Sequence, residues 1–218
     1  MTIENLFDLS RTQSADIFEG CNYPWEVLGR ISEYILARGK TLLPDEYYSP
    51  APGVWISHEA KVAPTASISG PCIIESNAEI RHCAFIRSSA IVGRGAVVGN
   101  STELKNVILF DGVQVPHYNY VGDSILGYRA HMGAGSIASN VRSDKKNVTV
   151  NTPDGKIETG LRKFGVMLGD EVEVGCGSVL NPGTVIGRGA RVYPMSCVRG
   201  YVPEGCIYKR AGEIVDIV

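Results

Sequence analysis

The sequence predicts an all-β fold, a parallel β-helix built from six-residue repeats, and three observations support this prediction. An aliphatic residue recurs at every sixth position from about residue 56 to residue 198. A small or β-branched residue recurs four places after each of them. Glycine is abundant at 25 residues, whereas aromatic residues make up only 8% of the chain. Each repeat is therefore expected to form one short strand and one turn, with three repeats per coil.

The aliphatic positions form two runs separated by a slip in phase, and their side chains are expected to point into the coil. The runs comprise Ile56, Val62, Ile68, Ile74, Ile80, Ile86, Val92, Val98 and Leu104, then Leu126, Met132, Leu168, Val174, Leu180, Ile186, Val192 and Val198. Their small partners include Ala60, Ala66, Cys72, Ala78, Ala84, Ala90, Ala96, Thr102, Ala130, Ser136, Ser178 and Ala190. Glycine and asparagine recur at turns, where a positive φ is needed.

Residues 1–50 lack the repeat and predict a small N-terminal helical cap and linker. One helix is expected over Pro24–Arg38, because apolar residues recur there at helical spacing, with Gly39 as its stop. The first role for this segment is to cover the open end of the β-helix, where strand edges are unpaired. Docking of a partner is the alternative role.

The repeat is expected to span residues 51–200, with an inserted loop at 138–165 and a tail at 201–218. Within the insertion, two alternating β-branched segments flank Thr152-Pro153-Asp154-Gly155, which predicts a β-hairpin. An excursion from a regular coil is a place where function concentrates.

Bulk properties narrow the functional classes. A formal net charge of −2 gives no support for a nucleic-acid partner. Six cysteines without a C-x-x-C pair indicate free thiols in a reducing, cytoplasmic compartment. The sequence contains neither a run of 18 apolar residues nor a signal-peptide pattern, so no membrane association is expected.

His117 is the candidate general base, because an imidazole with an ordinary pKa titrates near neutral pH. It lies in a polar and aromatic stretch where the repeat is expected to slip. The alternative is a corner histidine that bonds to the backbone. The chain has three other histidines, His58, His82 and His131, and none gives the spacing of a β-helix zinc site, so no metal is expected.

Ordered motifs resemble the acetyltransferase domain of the bifunctional N-acetylglucosamine-1-phosphate uridyltransferase/glucosamine-1-phosphate acetyltransferase. They are Gly99-Asn100-Ser101-Thr102-Glu103-Leu104-Lys105, His117-x-x-Tyr120-Val121-Gly122-Asp123, Met132-Gly133-Ala134-Gly135-Ser136 and Asn140. The resemblance covers residues 53–210 and implies a left-handed β-helix that forms homotrimers, with active sites between subunits. It also implies acetyl-CoA as co-substrate and no metal requirement.

The resemblance also implies roles for individual residues. His117 would be the base. The sugar phosphate would be bound by Arg87, Lys105, Tyr120, His131, Asn140 and Lys146, and CoA would be bound by Ala134, Cys176, Pro194 and Arg210. Without the resemblance, Arg87 and Lys105 would be ordinary surface residues and Arg210 a charge of the tail. His131 and Cys176 replace the Asn and Ser of the family, and Tyr193 is expected to narrow the CoA groove.

The expected function is acetyl-CoA-dependent N-acetylation of an amino-sugar phosphate for UDP-N-acetylglucosamine biosynthesis. Glucosamine-1-phosphate is the first acceptor considered and galactosamine-1-phosphate the second. No nucleotidyltransferase loop is present, so pyrophosphorylase activity is not expected. The alternatives are a non-catalytic β-helix that binds a sugar phosphate or nucleotide sugar beside a separate nucleotidyltransferase, and acyl transfer to a non-sugar amine.

Overall fold

The fold prediction is confirmed by a computed structural model, which describes residues 1–152 and 155–217 and contains a parallel β-solenoid of about eight turns. Its strands in chain order are β1 Tyr47–Ala51, β2 Val54–Ser57, β3 Lys61–Val62, β4 Ser67–Ile68, β5 Cys72–Ile74, β6 Glu79–Ile80, β7 Phe85–Ile86, β8 Ala90–Val92, β9 Val97–Asn100, β10 Glu103–Leu109, β11 Gln114–His117, β12 Tyr120–Leu126, β13 His131–Met132, β14 Ile137–Ala138, β15 Thr149–Thr152, β16 Gly155–Glu158, β17 Val166–Leu168, β18 Glu173–Val174, β19 Val179–Leu180, β20 Thr184–Ile186, β21 Arg191–Val192, β22 Cys197–Val198, β23 Tyr201–Val202, β24 Cys206–Arg210 and β25 Glu213–Asp216.

Three stacked columns of strands form the faces of the solenoid. The first face contains β2, β5, β8, the second halves of β10 and β12, β17, β20 and β23. The second face contains β3, β6, β9, β11, β13, β18, β21 and β24. The third face contains β4, β7, the first halves of β10 and β12, β14, β19 and β22.

The interior follows the predicted pattern. Aliphatic residues such as Ile86, Val98 and Leu180 are fully buried, and so are small partners such as Ala84 and Ala96. Because every coil stacks directly on the next, a larger side chain at a small position would press on the neighbouring turn. The six-residue period therefore results from the limited space for side chains inside the coil.

The sequence predicted that the repeat would slip in phase at His117, and this prediction is wrong. Leu109, Val115 and Val121 keep the period and are fully buried. The coils lose one residue each at two corners between the third and first faces, where Asn106 and Asp123 adopt positive φ values of 56° and 48°. A shorter corner changes where its side chains point: Asp123 belongs to the site described below, and the Asn106 amide donates to Asp123 Oδ1 at 2.9 Å.

The N-terminal segment contains two α-helices, α1 at Ile3–Leu6 and α2 at Ile31–Gly39, and 3-10 turns at Leu9–Arg11, Ala15–Phe18 and Pro24–Gly29. The single helix expected over Pro24–Arg38 is therefore divided. Arg30 donates its N–H to the carbonyl of Val27, three residues earlier, and this bond closes the 3-10 turn before α2 begins.

The helical part of this segment lies along the first face, whereas its last strand, β1, lies at the N-terminal end of the solenoid, where the cap was predicted. Helix α2 contacts β5, β8 and β10, and the 3-10 turn at Pro24–Gly29 contacts β12. The buried side chain of Asp170 accepts hydrogen bonds from the N–H groups of Asp8 and Tyr128. The first face is apolar on both of its sides, so it needs this cover more than the end does.

Antiparallel strands protect both ends of the solenoid. Strand β1 pairs with β2 at the N-terminal end, and β25 pairs with β24 at the C-terminal end. The inserted hairpin is confirmed as the antiparallel pair β15–β16, which contacts β20 and β23. Its predicted turn residues Pro153 and Asp154 lie outside the described residues. Over the described ranges, no helix has the length and apolarity needed to cross a membrane.

Candidate functional site

Five residues predicted from the sequence lie in one column, at the corner between the second and third faces. Gln114, His131, Glu173 and Arg191 are in register on the second face. The residues three places further on are His117, Ala134, Cys176 and Pro194, and Arg210 follows Pro194 because β21 and β24 pair in parallel. These five residues are called the corner column below.

Backbone hydrogen bonds hold this column together. The N–H groups of Gly135, Gly177 and Met195 donate to the carbonyls of His117, Ala134 and Cys176 at 3.0, 2.8 and 2.8 Å. Each of these donors has a positive φ, which turns the chain sharply and leaves the preceding residue exposed at the corner. A ligand lying along this corner would therefore touch His117, Ala134, Cys176, Pro194 and Arg210 in order.

His117 presents its imidazole to solvent. Its backbone N–H donates to Asn119 Oδ1 at 3.1 Å, and the Asn119 amide donates in turn to the carbonyls of Gly133 and Ser136. Within the described part of the chain, the imidazole itself makes no hydrogen bond. The alternative of a corner histidine bonded to backbone is therefore not observed.

The Gly133-Ala134-Gly135 turn presents three backbone N–H groups at the corner next to His117. Gly133 N–H donates to the Val174 carbonyl, and Gly135 N–H donates to His117, so both are already used. Among the described residues, the N–H of Ala134 has no hydrogen-bond acceptor. It is the one donor of this turn that remains for a ligand.

Four of the predicted sugar-phosphate residues form a second group, called the polar cluster below: Arg87, Lys105, Tyr120 and Asn140. Its centre is Asp123, whose side chain is only 5% exposed. Lys105 Nζ lies 2.9 Å from Asp123 Oδ1, and Asn140 Nδ2 lies 2.5 Å from Oδ2. The shortened corner thus brings Lys105 and Asn140 together through one buried carboxylate.

Arg87 and Tyr120 complete the polar cluster on the outer surface of the third face. Arg87 Nη1 lies 2.9 Å from Glu103 Oε1, and Glu103 pairs in register with Tyr120. Burial raises the pKa of Tyr120, and the charges of Glu103 and Asp123 raise it further, so its phenol stays neutral. A Cβ on Gly122 would lie 2.6 Å from the Tyr120 hydroxyl oxygen and 2.7 Å from Asn140 Nδ2, so a larger residue there would displace these two side chains.

Glu103 and Asp123 received no role in the sequence analysis, although both belong to the motifs quoted there. Each lies beside one of the two cations, so the cluster is balanced in charge. An incoming phosphate would share Arg87 and Lys105 with these carboxylates. The sequence signal for both is their distance from Lys105, the candidate phosphate-binding lysine: Glu103 lies two residues before it, and Asp123 lies eighteen residues after it.

Two predicted residues lie outside both groups. His131 lies on the second face, where Nδ1 is 2.8 Å from Glu173 Oε2. Lys146 lies in the insertion, where its backbone N–H donates to Asp144 and its side chain is exposed. The corner column and the polar cluster occupy opposite ends of the third-face strands. His117 ends β11, whereas Lys105 pairs with Gly122, which lies five residues further along the chain and beyond the corner at Tyr118.

Over residues 1–152 and 155–217, no group of three or more His, Cys, Asp and Glu side chains is arranged to hold a metal ion.

Comparisons with known proteins identify relatives of this chain. The family described as the GMPPB C-terminal domain matches residues 68–161. The chain is 32% identical to the bifunctional sugar-1-phosphate nucleotidylyltransferase/acetyltransferase of Sulfurisphaera tokodaii, over 72% of this chain and 43% of that protein. It is 31% identical to the bifunctional protein GlmU of Methanococcus maripaludis, over 95% of this chain and 52% of that protein. The chain thus spans about half the length of these relatives.

A hexapeptide transferase family protein from Anaplasma phagocytophilum is similar in structure, with a TM-score of 0.43 and 18% identity over 76% of this chain and 79% of that one.

Proposed function

We propose, from the premise that this hexapeptide-repeat chain is a homologue of the bifunctional sugar-1-phosphate nucleotidylyltransferase/acetyltransferases, that it transfers acetyl groups from acetyl-CoA to an amino-sugar phosphate. Glucosamine-1-phosphate is the first acceptor to test and galactosamine-1-phosphate the second. The observation that carries the proposal is the corner column, because it aligns the candidate base with all four candidate CoA contacts.

The proposed reaction needs few groups. The amine attacks the thioester carbonyl, so that a C–N bond forms and the C–S bond breaks. His117 accepts the proton that the amine loses, and the thiolate of CoA leaves and is protonated. The N–H of Ala134 donates to the oxyanion, and the bound geometry supplies alignment. The thioester is already activated, so no metal is required for this step.

The polar cluster supports a phosphate-bearing acceptor. Arg87 offers a planar guanidinium that can bind phosphate through two donors, and Lys105 offers a point charge. Tyr120 lies between His117 and Gly122 on one coil, and Gly122 pairs with Lys105 on the preceding coil, so Tyr120 would contact the sugar ring. Lys146 and His131 join the site only through a neighbouring subunit or a movement of the insertion.

We also propose a homotrimer, which the surface of the third face supports. Phe85, Ile137 and Val179 point outward from this face and are 38%, 39% and 38% exposed. The first face is already covered by the N-terminal segment and the hairpin, so it is not available to a second copy. Contact through the third face would place the polar cluster and the corner column beside a neighbouring subunit.

The experiment that tests the function is thiol release from acetyl-CoA in the presence of glucosamine-1-phosphate. We expect turnover by the wild type and a loss of about 10²- to 10⁴-fold in kcat for His117→Ala, because a general base contributes that much. His82→Ala is the matched control, since His82 lies two coils away in the same column of corners and bonds to Thr65. The control should retain activity.

The outcome also separates the two functional classes. Absence of turnover by the wild type, together with thermal stabilisation by a sugar phosphate, would favour a binding or regulatory subunit. Undiminished turnover by His117→Ala would remove the assignment of the base.

A further inference from the structure

A separate cavity of about 500 Å³ lies between the insertion and the C-terminal coils. It is called the hairpin pocket below, and its lining includes Ser139, Arg142, Asp144, Asn151, Lys156 and Arg199. Neither the corner column nor any member of the polar cluster lines it. Its volume falls within the range of small-molecule sites.

The pocket carries an excess of positive charge. Arg142 and Asp144 form a close bidentate pair, with contacts of 2.9 and 2.6 Å, so they balance each other. Among the described residues, the Arg199 side chain hydrogen-bonds only to the amide oxygen of Asn181, at 3.4 Å. Within the described ranges, neither Lys156 nor Arg199 has an ion-pair partner. Two cations therefore remain uncompensated on opposite walls, one on the hairpin and one on the solenoid.

The remaining lining indicates a polar ligand. The side chains of Ser139, Asn151 and Lys156 make no hydrogen bond to any described residue, so they are free to bind a solute. The described lining contains no aromatic residue, which leaves no surface for stacking a planar base. Uncompensated cations with free amide and hydroxyl groups match the charge and the acceptor oxygens of phosphate.

We propose that the hairpin pocket binds a phosphate-bearing small molecule, held by Lys156 from the hairpin and Arg199 from the solenoid. Asn151 and Ser139 donate hydrogen bonds to the remaining oxygens. A ligand in this position joins the insertion to the coils beneath it, so binding stabilises the hairpin.

The cationic anchors of this site lie away from the proposed acceptor site, although Ser139 directly precedes Asn140 of the polar cluster. Lys105, Gly122, Ser139, Asn181 and Arg199 follow one another at the same corner on successive coils. At about 4.8 Å per coil, Arg199 lies about 19 Å from Lys105. The proposal does not rest on the proposed function, because it concerns anion binding and not acetyl transfer.

The test is thermal unfolding in a rising series of inorganic phosphate at constant ionic strength. A ligand that binds only the folded state raises Tm as its concentration passes Kd. The measurements use an Arg87→Ala/Lys105→Ala background, so that phosphate at the polar cluster does not contribute. We expect a saturable rise in Tm in this background. Adding Lys156→Gln and Arg199→Gln should weaken binding by at least about tenfold, since each charged hydrogen bond contributes more than 1.4 kcal/mol.

Arg191→Gln is the matched control, because Arg191 lies on the same coil as Arg199, is exposed and makes no ion pair within the described ranges. It should leave the rise in Tm unchanged. Repeating the series with glucosamine-1-phosphate and with adenosine 3′,5′-bisphosphate identifies the source of the phosphate, the tighter binder being the better match. The proposal is overturned if Tm does not respond to phosphate in this background, or if the Lys156/Arg199 variant responds as strongly as its parent. Either result leaves the His117 assay unaffected.

Discussion

Glu75 is a carboxyl group enclosed at the corner between the first and second faces. Its side chain is 1% exposed. The Tyr47 hydroxyl donates to Oε2, whereas Oε1 has no partner among the described residues. Burial raises the pKa of Glu75, and burial together with the bond to Glu75 raises the pKa of Tyr47. A carboxylate enclosed in this way destabilises the fold whenever it is charged.

Glu75→Gln tests this reading through the pH dependence of stability. The pKa of Glu75 is raised in the folded state above its ordinary value of 4.5. The stability that protonated Glu75 contributes is therefore fully present below pH 4.5, and it is lost as pH rises through the folded-state pKa. The glutamine of the variant does not titrate. The free energy of unfolding of the variant, relative to that of the wild type, should therefore increase as pH rises above about 4.5. Urea unfolding of both proteins over a pH series measures this gain. Parallel pH profiles would show that Glu75 is not the enclosed acid described here.

Individual residues mark the limit of prediction from the sequence. His117 and its four column partners are three residues beyond strand positions that the repeat fixes, so their common corner could be predicted. The pairing of Lys105 with Asp123 could not, because it depends on a corner that is one residue shorter than the repeat. The roles carried over from the resemblance remain predictions for every site residue, including His131 and Lys146.

The N-terminal segment shows how one element is fitted to the solenoid. Gly39 was expected to end a helix through its backbone freedom, and α2 does end there. Its φ is not positive, however, and a Cβ built on it would lie 2.5 Å from the Trp55 ring. The glycine is needed for the close approach of α2 to β2.

Gly39→Ala should therefore destabilise the protein by about 1–3 kcal/mol, because the added methyl group must displace the Trp55 ring or α2. Gly29→Ala is the matched control, since a Cβ there meets nothing within 4 Å. The control should change the free energy of unfolding by less than about 0.5 kcal/mol. Chemical denaturation measures both. Equal stabilities of the two variants would contradict the tight packing of α2 on Trp55.

The position of this segment could not be predicted from local sequence. The helical spacing indicated an apolar stripe, but not the surface that the stripe covers. Asp8 bonds to Asp170, which is 162 residues away, and Asn106 bonds to the carbonyl of Leu28. Contacts at such separation carry no local signature, so the apolar first face had to be seen before its cover could be assigned.

At the scale of the whole molecule, the three faces have different surroundings. The first face is covered within the chain, whereas the third face exposes apolar residues in register, with Ile137 directly beside Val179. The repeat predicted the coil and its interior, because the same aliphatic and small positions are buried in every coil. It did not predict which face meets solvent, because outward positions are not restricted by the coil.

Ile137→Glu/Val179→Glu should convert the proposed trimer to monomers, because two charges would be buried at the contact between copies. Light scattering measures the change as a threefold fall in mass. Leu36→Glu/Leu43→Glu is the matched control, since these exposed apolar residues lie in the N-terminal segment. A wild type that is already monomeric, or a double variant that keeps its mass, would contradict assembly through the third face.

The most direct test of CoA binding along the corner column is to measure whether acetyl-CoA protects Cys176 from an alkylating reagent. Mass spectrometry of the modified peptides measures the rate of alkylation. Cys176 is a free, exposed thiol in the middle of the corner column, and Cys83 is a free, exposed thiol near the same corner on the far side of His117. If CoA lies along the column, acetyl-CoA should slow the alkylation of Cys176 and leave that of Cys83 unchanged. Equal rates for Cys176 with and without saturating acetyl-CoA would contradict the proposed groove.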